Sequence, residues 1–136
     1  MLEVEGRKIP YRRRAGGLVW FDFAALCGGP RSYTDYVDLA QRFHTVILSG
    51  VPRMQAKHAD AARRFTWLVD VLYDDRVNLV VSAEAPPEAL FTDGAHSAEF
   101  QRTASRLHEM RSAEYLASER RRSGGKVQGL QADGGG

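Results

Sequence analysis

Cysteine is nearly absent from this sequence: Cys27 is the single one in 136 residues. That excludes an internal disulfide and a zinc site built on several thiolates. No apolar run approaches the roughly 18 residues of a membrane-spanning helix. The opening Met1-Leu2-Glu3-Val4-Glu5-Gly6 carries no apolar stretch of the secretory kind, so the expected compartment is a reducing cytosol. The sequence also lacks both common phosphate-binding patterns. Gly124-Gly125-Lys126 is followed by Val127 rather than Ser or Thr, and no G-x-G-x-x-G occurs, so no backbone nest at a helix start is expected to hold a triphosphate. His44, His58, His96 and His108 show no H-x-x-x-H spacing and none is paired locally with Cys27, so no metal site is read. A hydrolase built from Ser49 or Ser82 with His44 and Asp22 would need a nucleophile elbow, and neither serine has one.

What is present is a globular composition, 43% hydrophobic and 26% charged, in a chain of one-domain length. The net charge of +2 is unevenly spread: +3 over residues 1–14, −4 over 15–119 and +3 over 120–136. An acidic body with basic ends argues against a nucleic-acid binder, and Arg12-Arg13-Arg14 and Arg120-Arg121-Arg122 read as solvated ends. Glycines crowd the last residues, which predicts a folded portion over 1–118 and a disordered Arg/Gly-rich tail over 119–136.

Alternation around Glu5-Gly6 predicts a hairpin over residues 2–10. Leu18-Val19-Trp20-Phe21 reads as a strand, Asp22 as the N-cap of a short helix over 23–27, and Gly28-Gly29-Pro30 as its stop. Ser32 and Asp35 form a capping-box pattern, with Tyr36, Leu39, Ala40 and Phe43 on one face of the helix that follows. His44 to Ser49 reads as a buried strand, residues 59–74 as an amphipathic helix burying Phe65, Leu68, Val69 and Leu72, and Val77 to Ser82 as a second buried strand. Strand, helix and strand in that order make a βαβ unit with a parallel pair. Pro86-Pro87 starts a short helical piece, and a last helix over about 97–117 buries Phe100, Ala104, Leu107 and Met110. The fold class is α/β, a parallel sheet with flanking helices, whose ligand side is marked by Ser49-Gly50 and Ser82-Ala83. On the last helix Arg102 and Arg106 are four apart and share a face; they read either as surface partners of Glu99 and Glu109 or as cations turned toward a phosphate.

A series of blocks then carries a resemblance. Trp20-Phe21-Asp22-Phe23, Cys27-Gly28-Gly29-Pro30-Arg31-Ser32, Asp35-Tyr36 and Phe43-His44-Thr45-Val46 come first. Ala62-Arg63-Arg64-Phe65, Leu68-Val69-Asp70, Tyr73-Asp74 and Ser82-Ala83 follow, and Glu99-Phe100-Gln101-Arg102-Thr103 with Ser105-Arg106-Leu107 closes the series. Over about residues 2–118 the chain resembles the C-terminal part of the ZapE family, bacterial cell-division ATPases related to mitochondrial Afg-like proteins. The resemblance implies part of a P-loop NTPase-type AAA+ sheet, from a protein that binds ATP with Mg2+ through Walker motifs in its N-terminal half. Neither motif is in this chain, so it reads as the last portion of such a protein, inactive alone and needing no cofactor of its own. By position the resemblance implies Arg106 as an arginine finger, Arg102 as its support and Ser82 as a sensor-like residue. It further implies a bacterial cytoplasmic location, FtsZ or other division proteins as partners, and homo-oligomers; the alternative is a non-catalytic interaction module docking on an ATPase or division protein. Three positions depart from the family pattern: Gly50 stands where Asp is frequent, Asn78 where Lys is usual and Arg111 where Gln is usual.

Overall fold

The structure is a computed structural model and describes residues 1–91 and 97–110. The proposed tail 119–136, the helix expected over 111–117, His96 and Arg111 lie outside the described residues. Strands β1 (Leu2–Val4) and β2 (Arg7–Ile9) form the expected hairpin, pairing antiparallel as a separate two-stranded sheet. Its turn needs left-handed backbone at both central positions, and Glu5 (φ 50°) and Gly6 (φ 80°) adopt it. Leu2, Val4 and Ile9 point inward and are buried.

The main sheet has four strands in the order β3 (Arg13–Ala15), β4 (Leu18–Asp22), β5 (Thr45–Val51), β6 (Asn78–Ala83). β3 is a strand that the Arg12-Arg13-Arg14 reading missed. Gly16-Gly17 turns the chain back so that β3 pairs antiparallel with β4, which makes the sheet mixed rather than parallel throughout. The pair β5–β6 is parallel, as the βαβ reading requires, and β4–β5 is parallel as well. β5 runs on through Gly50 to Val51, with a register shift between Leu48 and Val51 where Gly50 takes φ 76°.

The two crossovers hold α1 (Phe23–Cys27) with α2 (Tyr33–Arg42), and α3 (Ala59–Asp74). Right-handed crossovers between sequential neighbours put helices on one face of the sheet, and α3 accordingly packs between α2 and α4 (Ser97–Met110). The apolar stripe of α3 buries Phe65, Leu68, Val69 and Leu72 in the same core cluster as Val19, Phe21, Val46 and Leu48 of the sheet. Each fully buried side chain of that kind is worth roughly 1.5–3 kcal/mol. The capping box of α2 forms as read, with the Ser32 amide donating to Asp35 Oδ2 at 2.9 Å. Phe100, Ala104, Leu107 and Met110 of α4 are buried, and a short 3-10 turn at Pro87–Ala89 follows Pro86.

Candidate functional site

The block Cys27 to Ser32 closes the end of a helix. A helix leaves its last four carbonyls without partners, and α1 has partners for all four. Gly28 N–H donates to Ala24 O at 3.1 Å, Arg31 Nη2 to Ala25 O at 2.8 Å, Tyr36 Oη to Leu26 O at 2.9 Å and Arg64 Nη1 to Cys27 O at 3.2 Å. Two guanidinium groups at the negative end of the helix also suit its dipole. Cys27 is fully buried beside this cap, and burial pushes its thiol up to about 12. Burial likewise raises the Tyr36 phenol, with Cys27 adding to the effect. Neither group ionises near neutral pH, so Cys27 is no nucleophile.

The carboxyl ends of β4 and β5, where α/β sheets take ligands, hold a closed relay. Trp20 Nε1 donates to Ser49 Oγ at 3.0 Å, and Ser49 Oγ donates to Asp22 Oδ1 at 2.9 Å. Arg12 completes it, 3.3 Å from the Asp22 carboxylate and with its guanidinium 5.0 Å from the Trp20 ring centre. Ser82 is exposed at the end of β6 and accepts a hydrogen bond from Gly50 N–H at 3.1 Å. Asp22 caps α1 by position and makes no side-chain cap bond, because its carboxylate is taken by this relay.

The two arginines of α4 differ. Arg106 Nη1 pairs with Asp70 Oδ1 of α3, and its guanidinium lies 5.0 Å from the Tyr73 ring centre. Tyr73 Oη in turn donates to Glu109 at 2.8 Å, and that hydrogen bond, with burial, raises the phenol pKa. Glu109 therefore serves Tyr73, and the carboxylate bound to Arg106 is Asp70, for which the sequence reading offered no partner. Its signal was available in hindsight: Asp70 and Tyr73 are three apart on α3 and so share a face. Arg102 is exposed, and no hydrogen bond or ion pair to it is found among the described residues. Ser82 and the two arginines sit on different elements, and no contact joins them among the described residues.

The described histidines are tied into local contacts. His44 Nδ1 lies 2.9 Å from Thr45 Oγ1, His58 Nδ1 accepts from Gln55 N–H at 2.9 Å, and His108 faces Glu88 at 3.0 Å. Among the described residues no group of three or more His, Cys, Asp or Glu is placed to hold a metal ion. Asn78 is buried, and its Nδ2 has no hydrogen-bond partner among the described residues.

A family model described as AFG1-like ATPase matches residues 1–119. The chain belongs to the AFG1-like ATPase family. It is 47% identical to the cell division protein ZapE of Escherichia coli over 97 residues, 71% of this chain and 26% of that protein. It is 37% identical to lactation elevated protein 1 homolog B of Danio rerio over 110 residues, 81% of this chain and 22% of that one. An uncharacterized protein of Schizosaccharomyces pombe is 39% identical over 90 residues, 66% of this chain and 20% of that protein. The chain thus spans about a quarter of the curated relatives it matches, and those relatives come from a bacterium, a yeast and a fish. No solved structure matches the chain. Among the described residues no helix is long and apolar enough to cross a membrane.

Family membership implies nucleotide use in general. The ligand side of this sheet does not fit a triphosphate with Mg2+. Ser49 is committed between Trp20 and Asp22, Asp22 is itself paired with Arg12, and among the described residues no glycine-rich strand-to-helix loop lies there. Among the described residues Arg13, Arg53 and Arg102 have no hydrogen-bond or ion-pair partner for their guanidinium, and Arg102 lies on the far helix.

Proposed function

We propose that this chain is the C-terminal part of a ZapE-like, P-loop NTPase-type AAA+ ATPase, with residues 1–118 as its working unit. In this reading it serves a nucleotide, ATP with Mg2+, bound elsewhere in the family ATPase. The observation that carries it is the arginine pair of α4. Arg106 is braced by Asp70 and Tyr73, and Arg102 stands exposed one turn away on the same face. A braced guanidinium beside an open one suits stabilisation of phosphate charge across a subunit boundary. Arg106 is the proposed arginine finger, Arg102 its support and Ser82 a sensor-like residue. Similarity to the E. coli cell division protein supports a role in division; the proposed site of action is a bacterial division ring in the cytoplasm, with FtsZ or another division protein as partner and homo-oligomers as the assembled form.

The test is to mix the chain with E. coli ZapE and follow ATP hydrolysis. The expected result is association with a changed rate, and loss of the rate change in Arg106→Ala and Arg102→Ala with association kept. No association and no rate change would overturn the reading.

A second reading is a non-catalytic docking module, and the Arg106–Asp70 pair favours it, since a guanidinium held by a carboxylate is partly neutralised. Association that survives with an unaltered rate in every variant would select this reading.

A further inference from the structure

Asp70 lies in the C-terminal half of α3, where a carboxylate has no amide to cap and no favourable dipole. What it touches is Arg106 of α4. One turn further along both helices a second contact repeats the offset: Tyr73 Oη donates to Glu109 at 2.8 Å. Each contact joins residues 36 positions apart, so the two are successive rungs between α3 and α4. Two rungs in one register fix how far α4 can slide along α3, and with it the place of the Arg106 side chain.

The guanidinium is held from two sides. Its carbon sits over the Tyr73 ring, 5.0 Å from the ring centre, and Nη1 bonds a single oxygen of Asp70. That end-on contact leaves the other nitrogens of the fork outside the bond, and the side chain keeps 27% of its surface exposed. An arginine that meets an anion while still mobile gives up its rotamer freedom at that moment, whereas one already held has given it up on folding. The negative charge of Asp70 works the other way, because a carboxylate beside a guanidinium weakens its pull on phosphate. What helps is the directional bond. We propose that Asp70 is a positioning residue, orienting the Arg106 guanidinium toward phosphate charge by accepting a hydrogen bond and not by being charged; this rests on the role toward a nucleotide proposed for Arg106 above.

The test compares Asp70→Ala with Asp70→Asn, which keeps the acceptor oxygen and drops the charge. Each full-length variant is mixed with E. coli ZapE and ATP hydrolysis is followed over an ATP series, with Arg106→Ala as the reference. Asp70→Ala should cut the change in kcat that the chain brings by about tenfold, with KM for ATP moved by less than about twofold. Asp70→Asn should stay within about twofold of the unaltered chain or exceed it. On the chain alone, side-chain nitrogen relaxation at Arg106 Nε should report a rigid guanidinium in the unaltered chain and in Asp70→Asn, and a mobile one in Asp70→Ala. No rate change from the unaltered chain, or one that survives Arg106→Ala, overturns the reading of Arg106 and this inference with it. This inference alone is overturned if Arg106→Ala abolishes the rate change and Asp70→Ala does not diminish it, if Asp70→Asn loses as much as Asp70→Ala, or if Arg106 is as mobile in the unaltered chain as in Asp70→Ala.

Discussion

Arg7 reaches 28 positions along the chain to Asp35, with one terminal nitrogen 2.9 and 3.0 Å from the two carboxylate oxygens. The pair is lopsided: the Asp35 side chain is fully buried, while that of Arg7 is 43% exposed. Asp35 also accepts the Ser32 amide, so one carboxylate both caps α2 and fastens the N-terminal hairpin to it. Removing the buried member orphans the helix start and the guanidinium together, so Asp35→Ala should lose roughly 2–3 kcal/mol. Arg7→Ala leaves the amide bond in place and should cost about 1 kcal/mol or less. Urea unfolding of the two variants measures both, and a larger loss for Arg7→Ala would contradict the assignment.

Cys27 and Tyr36 make stability fall at high pH. Both are protonated in the fold, and burial raises both above their ordinary values of 9.0 and 10.0. The contribution of Cys27 is complete below pH 9, where folded and unfolded thiols both hold their protons. Above that the unfolded thiol ionises first, so stability declines through the window up to about 12, and Tyr36 adds its own decline from pH 10 upward. Cys27→Ala should flatten the first part of that fall. A thiol reagent at pH 8 should react with Cys27 slowly in the native protein and quickly in urea; equal rates would show that the thiol is accessible.

Much of this fold was legible because its signals are local. The residues of α3 alternate at helical spacing, the Ser32–Asp35 box announces a helix start, and the β-branched runs of β5 and β6 flank a helix as a crossover demands. β3 was not legible, since Arg13-Arg14 have no apolar face and become a strand only because β4 offers an edge beyond the Gly16-Gly17 turn. The site was less legible still. Arg106 and Asp70 are 36 positions apart, and nothing in either segment specifies the other until α3 and α4 pack together. Trp20, Ser49 and Asp22 likewise meet only through the parallel register of β4 and β5, which sets Asp22 beside Ser49.

The Arg106–Asp70 pair is a measurable coupling between α3 and α4. The two side chains are 27% and 19% exposed, so the pair is shielded enough to act and wet enough to avoid a large desolvation loss. A double-mutant cycle with Arg106→Ala and Asp70→Ala should give an interaction of about 1–2 kcal/mol in chemical unfolding. Tyr73→Phe keeps the ring under the guanidinium and drops the Glu109 bond, so it should leave that coupling largely intact. A coupling near zero would reduce the pair to a surface contact.

Gly17 and Gly50 should both resist alanine, for different reasons. Gly50 holds φ 76°, and a Cβ built there meets nothing within 4 Å, so the cost is backbone strain alone, about 1 kcal/mol. Asn or Asp tolerates that conformation better than Ala, so Gly50→Asp should cost less than Gly50→Ala. At Gly17 the conflict is steric: a Cβ would lie 2.4 Å from His44 Cδ2, forcing a ring that is bonded to Thr45 to move. Gly17→Ala should therefore cost about 1–3 kcal/mol. The two mechanisms separate in a His44→Ala background, where the added penalty of Gly17→Ala should shrink and that of Gly50→Ala should stay. Urea midpoints of His44→Ala, of the two glycine variants and of the two double variants decide it, and an unchanged Gly17→Ala penalty would show that the ring is not what the glycine accommodates.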